Sequence, residues 1–155
     1  MALKVGDQAP PFTLVDTEKN PRTLKEFLGS KTVIVFYPGA FTGVCSKEMC
    51  TFRDSISMFG EMNAKVVGIS VDAPSANKAF SEHNKLNFPL LCDFTRYVSI
   101  QYAGLYINFS GIQGYTAAKR SVFVLDKDGI VRYAWISENP GAEPNYDEVK
   151  NAVAA

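Results

Sequence analysis

Thr32-Val33-Ile34-Val35-Phe36-Tyr37 is an unbroken apolar, β-branched run, the pattern of a central strand covered on both faces. Pro38-Gly39 stops it. Phe52, Ile56 and Phe59 then recur at helical spacing, which predicts a helix from Val44 or Cys45 to about Phe59. Lys65 to Val71 reads as a second buried strand, and Pro74 suits the first turn of a helix reaching His83. Upstream, Phe12 to Val15 is extended, Thr17 to Pro21 is a turn, and Thr23 to Leu28 is one helical turn closed by Gly29. Downstream, Phe88 to Leu91 is short and extended, and Tyr97 to Tyr102 is a short helix. Ser121 to Leu125 and Ile130 to Trp135 flank Asp126-Lys127-Asp128-Gly129, a hairpin signal. Tyr146 to Ala154 closes the chain as a helix. The order β-α-β-α, hairpin, helix predicts an α/β layered domain: a thioredoxin-like fold with a mixed central sheet and an N-terminal β extension.

At 155 residues, with no repeat or composition shift, the chain reads as a single domain spanning 1–155. Sixteen basic residues balance sixteen acidic ones, so charge gives no argument for nucleic acid or an anionic membrane. No apolar run approaches the roughly 20 residues that span a bilayer. The N-terminal residues lack a signal-peptide core, which points to the cytoplasm. Three cysteines are too few for a secreted disulfide framework. The single histidine, His83, leaves no Cys/His cluster for zinc, so neither a metal nor a cofactor is expected.

The chemistry concentrates in Tyr37 to Cys50, where a buried strand ends and a helix starts. Sites form at the carboxyl ends of strands in open α/β sheets. A cysteine in a first helical turn meets the positive end of the helix dipole and unpaired N–H groups, so the Cys45 thiol is expected to be acidified. Thr42, three residues earlier, can aim its hydroxyl into the same pocket, with backbone N–H groups near Val44 and Cys45 beside it. Pro38 would shield the thiolate from bulk water. The bland alternatives are a small buried hydrophobe for Cys45 and a helix cap for Thr42.

Pro38-x-x-x-Thr42-x-x-Cys45 resembles the peroxiredoxin active-site pattern at all three fixed positions. Asp7-x-Ala9-Pro10-x-Phe12-x-Leu14, Phe88-Pro89-Leu90-Leu91 and Lys119-Arg120-Ser121-x-Phe123-Val124-Leu125-Asp126 extend the likeness over nearly the whole chain. The resemblance implies a thiol peroxidase acting on hydrogen peroxide and organic hydroperoxides. It makes Cys45 the peroxidatic cysteine and Arg120 the guanidinium that supports thiolate and bound peroxide. An Arg stays charged at any working pH and would lower the Cys45 pKa further.

The Cys45–Cys50 spacing looks like that of the bacterioferritin-comigratory, or Q-type, members, in which the second cysteine resolves the sulfenic acid. Five residues along one helix place the two about 140° apart, with Cα atoms roughly 8 to 9 Å apart. A disulfide tolerates about 7 Å, so the first turns must unwind for the pair to join. Recycling would then come from thioredoxin or a similar dithiol protein. The segment Asn139 to Tyr146 instead resembles the tails of one-cysteine relatives, which are recycled by an external thiol. Both routes stay open. Glu48 reads either as a dipole-stabilising surface acid or, by the resemblance, as a pocket residue that orders the arginines around the cysteine. Phe41 is expected to line a substrate entrance, and Arg53 either joins the arginine network or is solvated. Cys92 follows the Phe88–Leu91 strand as a structural residue. A copper-binding module on the same fold is the alternative of a different class. It wants a closer cysteine pair and a histidine, and His83 is expected to lie away from the cysteine loop. The chain lacks the cysteine-bearing C-terminal arm of decamer-forming peroxiredoxins, so a monomer or small homodimer is expected.

Overall fold

A computed structural model describes residues 2–155; Met1, the first residue of the expected domain, lies outside the described residues. Strands β1 (Thr13–Asp16) and β2 (Pro21–Thr23) pair as an N-terminal hairpin, followed by the helical turn α1 (Leu24–Phe27). Then come β3 (Lys31–Phe36), α2 (Gly43–Glu61), β4 (Ala64–Ser70), α3 (Pro74–His83), β5 (Leu90–Cys92) and α4 (Tyr97–Tyr102). The short strands β6 (Leu105–Tyr106) and β7 (Ala117–Ala118) bracket a loop, and β8 (Ser121–Leu125), β9 (Val131–Ile136) and α5 (Tyr146–Ala154) complete the chain. Seven strands form one mixed sheet in the order β2-β1-β5-β4-β3-β8-β9.

The apolar run sits where its pattern demands. β3 is central, parallel to β4 and antiparallel to β8. Successive strand side chains point to opposite faces. Ile34 and Phe36 therefore join Val67, Ile69, Leu91, Phe123 and Leu125 under α1 and α4. Val33 and Val35 join Tyr37, Met49, Phe52, Phe59, Phe80, Val149 and Val153 on the face covered by α2, α3 and α5. Full burial of such a side chain contributes roughly 1.5–3 kcal/mol, so the second layer holds α2 firmly against the strand that precedes it. Packing there is tight: a Cβ on Gly68 of β4 would lie 2.7 Å from both the Met49 and Leu90 side chains.

Three expectations shift. Pro21 belongs to the edge strand β2 rather than to the preceding turn, a position where the missing proline N–H costs no ladder bond. Cys92 lies within β5, not after it. α2 starts at Gly43 and runs to Glu61, slightly longer at both ends than its apolar stripe. Among the described residues, no helix is long and apolar enough to cross a membrane.

Candidate active site

The segment between β3 and α2 is fixed from below. Asp72, just beyond β4, accepts the Ala40 N–H at 2.9 Å and the Ser70 hydroxyl at 2.8 Å. Phe41 adopts a left-handed conformation with φ +64°, unusual for a bulky residue, and so turns the chain into the helix. Thr42 occupies the N-cap position but makes no side-chain cap; its hydroxyl donates to Gly39 O at 2.9 Å. Pro38 and Gly39 are buried beneath this loop. Cys45 is the third residue of α2 and has no exposed surface.

Arg120 closes the site. It precedes β8, the strand beside β3, and is only 2% exposed. Its Nη2 donates to Cys45 Sγ at 3.2 Å, its Nη1 to Glu48 Oε1 at 3.0 Å, and its Nε to Pro140 O at 2.9 Å. Its backbone N–H donates to the Tyr106 hydroxyl at 3.2 Å, which in turn donates to Ser137 O at 2.7 Å. Arg120 is thus held by three separate parts of the chain: its guanidinium by α2 and Pro140, its backbone by Tyr106.

Glu48 is not a surface acid. It is fully buried behind Arg120, and it does not line the pocket over the cysteine. The helix period explains this: Cys45, Glu48, Met49 and Phe52 occupy i, i+3, i+4 and i+7, one buried stripe. Burial pushes the Glu48 carboxyl up to about 8, against the pull of Arg120. Its Oε2 has no hydrogen-bond partner, an environment that favours the protonated form.

The expected acidification of Cys45 is also not what the folded site delivers. Burial raises the thiol above its ordinary value, and the Arg120 charge, the Thr42 hydroxyl and the Gly39 backbone only partly offset it. Desolvation outweighs the partners because the sulfur has no contact with solvent. Two buried acids, Cys45 and Glu48, share one fixed cation. A proton on Glu48 leaves the Arg120 charge to a Cys45 thiolate.

A cavity of about 250 Å³ opens against this cluster, lined by Thr42, Val44, Phe109, Arg120 and Pro140 among others. Three larger cavities, of about 360, 350 and 310 Å³, lie elsewhere and touch no cysteine. Phe41, expected at the entrance, does not line the cavity. Its ring is half-exposed and packs against Phe80 and His83, with centroids 5.4 and 5.8 Å away. His83 therefore sits beside the cysteine loop rather than away from it, because the end of α3 abuts the start of α2. Among the described residues, no group of three or more His, Cys, Asp or Glu side chains is placed to hold a metal ion.

Cys50 points away from Cys45: its Sγ donates to Asn84 Oδ1 at 3.5 Å, and both cysteines are free. Arg53 does not join Arg120. It bonds Asn84 O and Asp54 instead. Cys92 is buried and accepts from Asn77 Nδ2 at 3.4 Å.

The AhpC/TSA family model matches residues 5–134. The chain belongs to the AhpC/TSA family. Chloroplastic peroxiredoxin Q of Sedum lineare is 39% identical over 130 residues, covering 84% of this chain and 67% of the relative. Alkyl hydroperoxide reductase E of Mycobacterium tuberculosis is 37% identical over 141 residues, covering 90% of this chain and 88% of the relative. The crystal structure of peroxidoxin BcpB from Mycobacterium tuberculosis superposes with a TM-score of 0.84 at 34% identity, covering 97% of this chain and 96% of that one. The AhpC/TSA fold is thus the thioredoxin-like one expected, and the Q-type resemblance agrees with these names. Tyr106, Phe109, Asp72 and Pro140 are the site residues that sequence reasoning passed over. Tyr106, Phe109 and Tyr115 form an aromatic cluster within ten positions, the one signal that pointed to them.

Proposed function

We propose that this peroxiredoxin reduces hydroperoxides through Cys45. The observation that carries the reading is Arg120 Nη2 at 3.2 Å from Cys45 Sγ, at the edge of a cavity that also reaches Thr42. The Cys45 thiolate attacks one peroxide oxygen. An S–O bond forms as the O–O bond breaks, sulfur is oxidised to sulfenic acid, and the leaving alkoxide or hydroxide takes a proton to give an alcohol or water. Arg120 stabilises the negative charge on sulfur before attack and on oxygen after it. Thr42 and the N–H groups of the helix start, near Val44, orient the peroxide, and Pro38 keeps water from the sulfur. No cofactor takes part, since the thiolate supplies both electrons.

Cys50 then attacks the sulfenic sulfur and expels water, and thioredoxin or a similar dithiol protein reduces the resulting disulfide. Both cysteines lie in α2, so this step requires its first turns to unwind; terminal turns open at low cost. The engagement of Cys50 with Asn84, off the Cys45 face, favours a second reading, a one-cysteine cycle completed by an external thiol. The working unit is one domain in the cytoplasm, a monomer or small homodimer.

Turnover of hydrogen peroxide with a thioredoxin system tests the scheme. Cys45→Ser should abolish turnover. Cys50→Ser should abolish the thioredoxin-linked rate while leaving the first oxidation intact. A wild type that forms no 45–50 disulfide by mass spectrometry decides for the one-cysteine cycle.

A further inference from the structure

Hydrogen peroxide needs little room: a water's share of liquid volume is about 30 Å³. The cavity beside Arg120 is about 250 Å³, several times what such a substrate fills. Its walls divide by chemistry. Thr42, Ser110 and Arg120 supply polar groups, while Val44, Phe109 and Pro140 supply an apolar wall.

Phe109 is deliberately held there. The loop between β6 and β7 places its two neighbours in left-handed conformations, Asn108 at φ +52° and Ser110 at φ +58°. Asn108 Oδ1 accepts the Gly114 N–H at 2.9 Å, and the Phe109 N–H donates to Tyr115 O at 2.8 Å. The Phe109 ring stacks on Tyr106 with centroids 5.7 Å apart and meets Tyr115 edge-on at 5.3 Å. Tyr106 is the residue whose hydroxyl holds the Arg120 backbone. One aromatic stack thus fixes the apolar wall relative to the guanidinium.

We propose that Phe109 is a specificity-determining residue: it receives the apolar substituent of an organic hydroperoxide while the peroxide end meets Thr42 and Arg120. This inference rests on the peroxidase reading above and adds the residue that selects among hydroperoxides, favouring those with a compact apolar body. Contact made to the substituent in the transition state raises kcat/KM for those substrates and does nothing for hydrogen peroxide.

The test compares the first oxidation of wild type, Phe109→Ala and Phe109→Leu by cumene hydroperoxide and by hydrogen peroxide, followed by stopped-flow tryptophan fluorescence or competition. Removal of a wall of this size from an apolar pocket is expected to cost about tenfold or more in kcat/KM toward cumene hydroperoxide. Phe109→Leu should retain most of that rate. The ratio of the cumene hydroperoxide rate to the hydrogen peroxide rate should fall by about tenfold in Phe109→Ala and stay near the wild-type ratio in Phe109→Leu. A parallel loss with both peroxides makes Phe109 only a prop for Tyr106 and Arg120 and overturns the proposal, as does no loss with either. A wild type inert to both peroxides sinks the peroxidase reading and this inference with it.

Discussion

Removing the Glu48 charge should make Cys45 more acidic. Glu48 and Cys45 flank one guanidinium, 3.0 and 3.2 Å from its two terminal nitrogens. Two anions so placed stand roughly 7 Å apart, and at an effective dielectric of about 20 they repel by about 2 kcal/mol. The Cys45 pKa should therefore fall when the competing charge is deleted. Glu48→Gln is the appropriate change, since it keeps the volume and leaves an oxygen to accept from Arg120 Nη1. The assay is the pH dependence of Cys45 alkylation, read by mass spectrometry of the Cys45 peptide so that Cys50 and Cys92 do not interfere. A Cys45 pKa that stays put or rises in Glu48→Gln would refute the shared-cation account and leave Glu48 as a mere anchor for Arg120. The same pair sets a stability signature. Burial raises the Glu48 pKa from 4.5 to about 8, so the folded state holds that proton more tightly than the unfolded chain. The resulting stabilisation is fully present at low pH and is lost as pH rises from about 4.5 to about 8. The wild-type Tm should therefore decline across that window relative to Glu48→Gln.

Arg120→Ala leaves the protonated Glu48 carboxyl buried without its partner, a loss of about 1–3 kcal/mol to be read in urea unfolding. Arg120→Lys keeps the charge but cannot serve Cys45, Glu48 and Pro140 together; the peroxide oxidation rate should fall by about 10²-fold or more. Gly68→Ala pushes a methyl into Met49 and Leu90 beneath α2 and should cost about 1–3 kcal/mol, seen as a lowered Tm, because a packed core resists added volume.

Much of this layout was legible before any coordinates. Thr32 to Phe36 and Ser121 to Leu125 are short apolar runs rich in β-branched residues, the pattern of a strand buried on both faces. The Pro38, Thr42 and Cys45 spacing located the loop, and Arg120 was placed by resemblance; the structure brings Thr42 and Arg120 to one cavity. What escaped notice has physical causes. β6 and β7 are two residues each, too short to show a period. Glu48 was split between a surface acid and an arginine-ordering residue, and the structure decides for the second, on the buried stripe that its spacing from Cys45 marks. The sign of the Cys45 shift was misjudged because a helix start can be inferred from sequence, whereas the depth at which it is buried depends on Arg120, Pro140 and Tyr106, which arrive from distant parts of the chain. Phe109 was passed over because its importance comes from the cavity it faces, not from any local pattern.

The central claim is that Cys45 is the atom that meets the peroxide. One equivalent of hydrogen peroxide is added to the reduced protein in the presence of a sulfenic-acid trap, and each cysteine peptide is mapped by mass spectrometry. The account predicts the trapped adduct on Cys45, none on Cys92, and no peroxide consumption by Cys45→Ser. Peroxide consumption that persists in Cys45→Ser, or an adduct that appears first on Cys50 or Cys92, contradicts it.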